Sequence, residues 1–406
     1  MLTMPFCSRL CRIVIGCSAL LSSFSATTAL AQVTVTLPAE RMVVQRNTDN
    51  WASLRITGRA MQPLDGVQAR AVARVTGQGT DTNWISLRFS PGDSLFRGTL
   101  PVRGGWYRLE VRGLRAGQVV VTDTVQQVGV GEVFAIVGHS NAQGSGCYVD
   151  GTDYCPSIEG ATDDRVSVVP IDQTTPAFKR YEQTADPQYL PGLVFAKLTG
   201  TSGMAPFGNM AWFWGRLGDL LVQQLNVPVL FYNAGFGGTN MEHTYKAAYN
   251  IPFEHGFCNY DIRMPFVNLR NLMDRYVPAT GIRAVLLQHG ENDRDNPADT
   301  IVNHHYGVID KLRQEYPDKP DLTWIVAKSS FVSKPFGNVR QAQQTVIDRR
   351  DYHTLSGPDL DVISSGIERP DGIHFSPAGQ RRAAQLWAEV LTNERLRQAR
   401  PYPAVR

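Results

Sequence analysis

A run of five apolar residues, Val133-Phe134-Ala135-Ile136-Val137, leaves few folds open to this chain. It is too short for a helix and rich in β-branched residues, as expected of a strand buried on both faces of a parallel sheet. Gly138 ends the run, and Ser140 follows two residues later, with Asn141 behind it. In open α/β sheets ligands bind beyond the carboxyl ends of the strands, so a serine there stands where a nucleophile is useful. Taken alone, the stretch equally fits a strand followed by a polar turn.

Beyond Gly131 the pattern alternates strands with helices. Strands are expected at 133–137, 227–233, 284–288, 322–327 and 360–364, and helices at 210–224, 266–276, 300–315, 339–352 and 377–396. Ser376 precedes Pro377 as cap and first helical residue. This alternation predicts a parallel sheet with helices on both faces. Two insertions, roughly 142–206 and 239–262, lack periodicity; loops of that length in a compact domain usually serve a binding surface. Before Gly131 the grammar is different. Val33–Leu37, Leu54–Thr57, Trp84–Phe89 and Trp106–Val111 alternate with period two between Gly, Pro, Asn and Asp turns, and Val119–Thr122 begins a last strand. Short strands at that spacing predict an Ig-like β-sandwich over 32–130, which gathers no catalytic residue types and is read as a structural module.

At 406 residues, with 43% hydrophobic and 19% charged residues, the chain can bury a full core. Its net charge of +3 is scattered, which gives no footprint for nucleic acid or an anionic membrane. Arg9 and Arg12 precede an apolar stretch from Ile13 to Phe24, and Ala29-Leu30-Ala31 supplies a small-residue cleavage site. Residues 1–31 therefore read as a secretory signal, which makes the mature protein secreted or periplasmic. Val14-Ile15-Gly16-Cys17 loosely resembles a lipoprotein site, but the apolar run continues past it. No other run is long enough to span a bilayer. Beyond the signal remain Cys147, Cys155 and Cys258. Cys147 and Cys155 flank a short polar loop and can close a disulfide in an oxidising compartment, although spacing alone leaves the pairing open. No metal site or organic cofactor is expected: the adjacent His304 and His305 cannot share one helix face for zinc.

Four stretches fall at predicted strand ends: Gly138-His139-Ser140-Asn141, Asn233-Ala234-Gly235-Phe236-Gly237-Gly238-Thr239, Gly290-Glu291-Asn292-Asp293, and Asp371-Gly372-Ile373-His374. Their chemistry is complementary. A serine hydroxyl needs a base, and His374 is a base suited to neutral pH. Asp371, three residues earlier, can hold the imidazole in its productive tautomer. The Ser140 and Gly237 N–H groups and the Asn292 amide can form an oxyanion hole. Each piece singly can be a turn, a capping cluster or a buried histidine; jointly, in this order, they point to a hydrolase.

These blocks match in order those of the SGNH hydrolase superfamily: Ser140 in Gly-x-Ser-Asn, Gly237 in Gly-Gly-Thr, Gly290-x-Asn292-Asp293, and Asp371-x-x-His374. The opening Gly-Glu-Val-Phe-x-x-x-Gly-x-Ser-Asn resembles the sialate O-acetylesterase-type branch of carbohydrate esterases. The resemblance spans 131 to about 396 and implies a flavodoxin-like three-layer α/β/α sandwich over 131–406. It further implies a small all-β domain in front and removal of acetyl groups from an acetylated oligo- or polysaccharide. Catalysis would rest on Ser140, His374 and Asp371, with Gly237 and Asn292 in the oxyanion hole. Two departures stand out. That branch usually has Gln where this chain has His139, and His-Gln where it has Gln288-His289. Aromatic residues of the second insertion, Tyr245, Tyr249, Phe253, Phe257 and Tyr260, can stack on sugars or simply pack the loop. The alternatives are a lipase, thioesterase or arylesterase of the same superfamily, and a glycan-binding protein that has lost activity. The second would be expected to lack one of Ser140, Asn292 or His374.

Overall fold

The computed structural model describes residues 33–405. The expected signal segment and its lipoprotein-like variant lie outside these residues. The apolar run belongs to a much longer strand, Gln118–Gly138. Its first part pairs antiparallel with Gly105–Arg115. From Glu132 onward, Val229–Asn233 and Ala284–Gln288 flank it in parallel, one on each side. One strand thus passes from antiparallel into parallel pairing, and residues 130 and 131 lie inside it. Its side chains alternate between two cores: Val133, Ala135 and Val137 join one, Phe134 and Ile136 the other. This is the burial that a central parallel strand demands.

The parallel pairing continues through Thr323–Lys328 to Thr354–Asp359 on one side, and to Val166–Val168 on the other. Helices Trp214–Leu225 and Pro377–Val390 bury Trp214, Leu217, Leu221 and Trp387 with Phe134 and Ile136. Helices Phe266–Arg275 and Ala298–Glu315 contribute Leu269, Leu272, Val308 and Leu312 to the core that holds Val133 and Ala135. The result is a mixed α/β architecture around one large mixed sheet. In the N-terminal part, Val33–Leu37, Trp51–Ala60, Leu95–Arg103, Ile85–Ser90, Gly66–Ala73 and Gly105–Arg115 pair antiparallel in that order up to the long strand.

Several elements differ from the sequence reading. Residues 360–364 do not form a strand: Leu360–Val362 is a single 3₁₀ turn, and the strand is Thr354–Asp359 just before it. That segment contains Gly357 and Pro358 and so hides its strand character. It pairs only with Thr323–Lys328, and proline is tolerated on such an edge. Leu95–Arg103 is masked in the same way by Gly98 and Pro101, and Met42–Gln45 by being buried throughout rather than alternating. The insertions also carry helices, Pro176–Thr184 capped by Thr175 and Met241–Tyr249 capped by Asn240. The expected C-terminal helix breaks into Pro377–Val390 and Asn393–Gln398, the second capped by Thr392.

Candidate active site

Gly138 ends the central strand where only glycine fits, since a Cβ there would stand 2.0 Å from the Gln288 carbonyl oxygen of the adjacent strand. His139 follows, and Ser140 opens a one-turn helix, Ser140–Gln143. The first N–H groups of a helix have no intrahelical acceptor, so the Ser140 N–H is not consumed by its own turn.

The C-terminal loop brings His374 and Asp371 to Ser140. His374 Nε2 lies 2.8 Å from Ser140 Oγ, and its Nδ1 lies 2.6 Å from Asp371 Oδ2. Asp371 Oδ1 accepts the backbone N–H groups of Ile373 and His374 at 2.9 and 2.7 Å. Burial pushes this carboxyl up, but the His374 imidazole and the two N–H groups outweigh it and hold the pKa down at about 2. An anion fixed on Nδ1 leaves Nε2 as the acceptor for the serine proton.

Asn141, which the sequence reading passed over, ties the two loops together. Its Nδ2 donates to Ile373 O at 3.0 Å and to Glu291 Oε1 at 3.2 Å, and its Oδ1 accepts from Phe375 N–H at 3.3 Å. Arg369 does similar work from the other side. Fully buried between the Phe331 and Phe375 rings, it donates to the carbonyls of Ile363, Leu360 and Ile373. Its carbonyl acceptors lie within nine residues, but the Phe331 ring and Glu291 come from elsewhere in the chain, so the local sequence does not show its burial. The Cys147–Cys155 disulfide braces the neighbouring loop, with Cys155 Sγ 3.7 Å from His374 O.

Glu291 is buried behind Ser140. Its carboxylate accepts from His139 Nε2 at 2.5 Å and from Ser329 Oγ at 2.9 Å, and Arg369 lies 3.6 Å away. Burial opposes its ionisation, yet His139 and Arg369 beside it hold the carboxyl well below the ordinary carboxylate range. His139 Nδ1 in turn lies 3.1 Å from Ser140 Oγ. His289 sits 3.3 Å from Asp293 Oδ2, and Asp293 also accepts the Met241 N–H.

Gly237 and Asn292 line the same cleft as Ser140 and His374, a space of about 480 Å³. A Cβ on Gly237 would stand 3.6 Å from Ser140 Cβ, so its backbone lies against Ser140. Neither donor is idle. The Gly237 N–H donates to Gln143 Oε1 at 2.7 Å, and Asn292 Nδ2 donates to Thr239 O at 2.9 Å. Gln143 Nε2 is tethered to Phe207 O at 3.0 Å. The cleft wall carries Phe207 stacked on Phe236 at 4.8 Å and Phe236 on Phe257 at 6.3 Å. Phe257 is 68% exposed and packs on Gly238, whose φ of 74° suits glycine. Tyr245 packs on Tyr249 and His304, and Phe253 on His243 and Tyr260, so Phe257 alone of those five aromatics lines the cleft. A larger cleft of about 660 Å³ lies beside Trp51 and Pro403; no histidine or carboxylate lines it, so it lacks the means for acid–base chemistry. Among the described residues, no group of three or more His, Cys, Asp or Glu is placed to hold a metal ion.

No protein-family model matches the chain, and no curated protein matches it either. Among solved structures, it is similar to a carbohydrate acetylesterase from Xanthomonas citri at 19% identity and a TM-score of 0.50, covering 87% of this chain and 74% of that one. A protein from Arabidopsis thaliana matches at 14% identity and a TM-score of 0.42, over 64% of this chain and 96% of that one. A family two carbohydrate esterase from Clostridium thermocellum, solved with cellohexaose, matches at 12% identity and a TM-score of 0.32, over 89% and 98%. The first of these carries the likeness of fold.

Proposed function

We propose that the protein is a secreted or periplasmic serine esterase that removes small acyl groups, acetyl above all, from a carbohydrate. The observation that carries this reading is the unbroken line Asp371–His374–Ser140 at the end of the central strand, with contacts of 2.6 and 2.8 Å. The acetylesterase named for the Xanthomonas citri structure fits the same chemistry. On this reading 131–406 is a flavodoxin-like hydrolase domain of the SGNH type and 32–130 a β-sandwich before it. The disulfide suits an oxidising compartment.

Ser140 Oγ attacks the ester carbonyl as its proton passes to His374 Nε2, and Asp371 stabilises the imidazolium as it forms. His374 returns the proton to the departing sugar oxygen. Water then attacks the acyl-enzyme, giving a proton to His374, and the acid is released with Ser140 restored. The Ser140 N–H, the Gly237 N–H and the Asn292 amide hold the oxyanion. For Gly237 this requires the substrate oxygen to take the place of Gln143 Oε1, an exchange of one acceptor for another. Phe257, exposed at the mouth, supplies a face for a sugar ring.

The test is hydrolysis of p-nitrophenyl acetate, butyrate and octanoate by wild type and Ser140→Ala, followed by acetylated glycans. Acetate turnover that disappears in the variant supports the reading. Preference for octanoate would replace it with a lipase. Silence on esters and acetylated glycans alike would replace it with a glycan-binding protein.

A further inference from the structure

Ser140 Oγ touches two imidazoles, not one. Besides His374 Nε2 at 2.8 Å, His139 Nδ1 lies 3.1 Å away, and His139 Nε2 faces Glu291 Oε2 at 2.5 Å. A continuous line of contacts therefore runs Glu291–His139–Ser140–His374–Asp371. Each of its four contacts needs one hydrogen. With both carboxylates ionised and both imidazoles neutral, the line holds only three: one on each ring and one on the serine. One contact would then bring two lone pairs together.

We propose that His139 carries the missing proton and acts as a second catalytic histidine, an imidazolium whose Nδ1–H donates to Ser140 Oγ while Glu291 holds its Nε2–H. This rests on the proposed serine-esterase function. The surroundings suit a cation at His139. Its ring is fully buried; facing it are the Glu291 carboxylate, Ser140 Oγ and the His289 ring at 5.3 Å. Behind these, Arg369 lies 3.6 Å from Glu291, Asn141 and Ser329 donate to Glu291, and Asp293 lies 3.3 Å from His289. The proton stays on His139 through the cycle. It stabilises negative charge on Oγ when Ser140 gives up its hydrogen to His374, and again when Oγ leaves the acyl-enzyme. A glutamine, usual at this position in the resembling esterases, can hold Glu291 through its amide but cannot titrate.

The decisive comparison is the pH profile of kcat/KM for an acetate ester in wild type and His139→Gln. Activity should rise as His374 loses its proton and fall as His139 loses its own, giving a bell. His139→Gln should lose the alkaline limb and roughly 10–100-fold in kcat/KM at the optimum, the worth of a hydrogen bond to a charged group. A wild-type profile without that limb, or a variant that keeps it, overturns the proposal. An independent reading needs no substrate: nitrogen-15 histidine NMR should show one imidazolium persisting at pH 8 in wild type and in His374→Gln. If every imidazole is neutral at pH 8, the proposal fails even when ester hydrolysis holds. If no ester is hydrolysed, the esterase reading fails while the NMR still decides His139.

Discussion

At the residue scale the site is a problem in placing protons, and Asp371 decides it for His374. An asparagine would put an N–H or a neutral oxygen against Nδ1 and release the tautomer, which typically costs about 10⁴-fold in kcat. Asp371→Asn should show that loss at pH 7 with KM little changed. A stability effect should accompany it. The folded-state pKa, about 2, lies below the ordinary aspartate value, so the contribution is full above pH 4 and lost as pH falls through 2. Thermal unfolding should thus separate wild type from Asp371→Asn at pH 7, and the gap should close near pH 2. A gap that persists at pH 2 would mean that the carboxylate's ionisation is not what stabilises this loop.

At the scale of elements, much was legible because each piece obeys a local rule. Val133 to Val137 announces a doubly buried strand, Ser376-Pro377 a helix start, and Asp371-x-x-His374 a dyad within one turn, since Asp371 reaches the His374 ring and backbone across three residues. What escaped is whatever depends on partners far along the chain. Gly357 and Pro358 obscure an edge strand because nothing in sequence says that it is an edge. Arg369 reads as any surface arginine until Phe331 and Glu291 enclose it. Gln143 blocks a donor that sequence logic leaves free. The Cys147–Cys155 loop lay between these cases: the spacing allowed the bond and the fold closes it. With a sequence separation of 8, loop closure is worth about 2–3 kcal/mol. Replacing both cysteines with serine should lower the melting temperature by several degrees, as such a loss does for domains of ordinary size. An unchanged melting temperature would show that the loop is held by its other contacts.

At the scale of the whole molecule, the N-terminal strands meet the parallel sheet through a buried charge cluster. Glu132, where the pairing with Val229–Asn233 begins, accepts from Arg46 Nε and Arg283 Nε at 2.7 Å each, and its side chain is fully buried. Burial raises its pKa, but the two guanidiniums overcome this and keep it ionised. Such a cluster adds little over a well-packed apolar one, yet removing one member strands the rest. Glu132→Ala should therefore destabilise the chain by about 3–5 kcal/mol in denaturant unfolding, and a cost under about 1 kcal/mol would contradict this picture. The charge cluster and the Ser140 contacts mark the two ends of the stretch flanked by Val229–Asn233 and Ala284–Gln288, from Glu132 to the residues just past Gly138. We propose Ser140, at the far end, as the nucleophile. Stoichiometric inactivation with diethyl p-nitrophenyl phosphate, followed by peptide mass spectrometry, tests it most directly. One phosphoryl group per chain is expected, on Ser140, with activity falling in proportion; a label on any other residue, or full labelling with activity retained, would rule Ser140 out as the nucleophile.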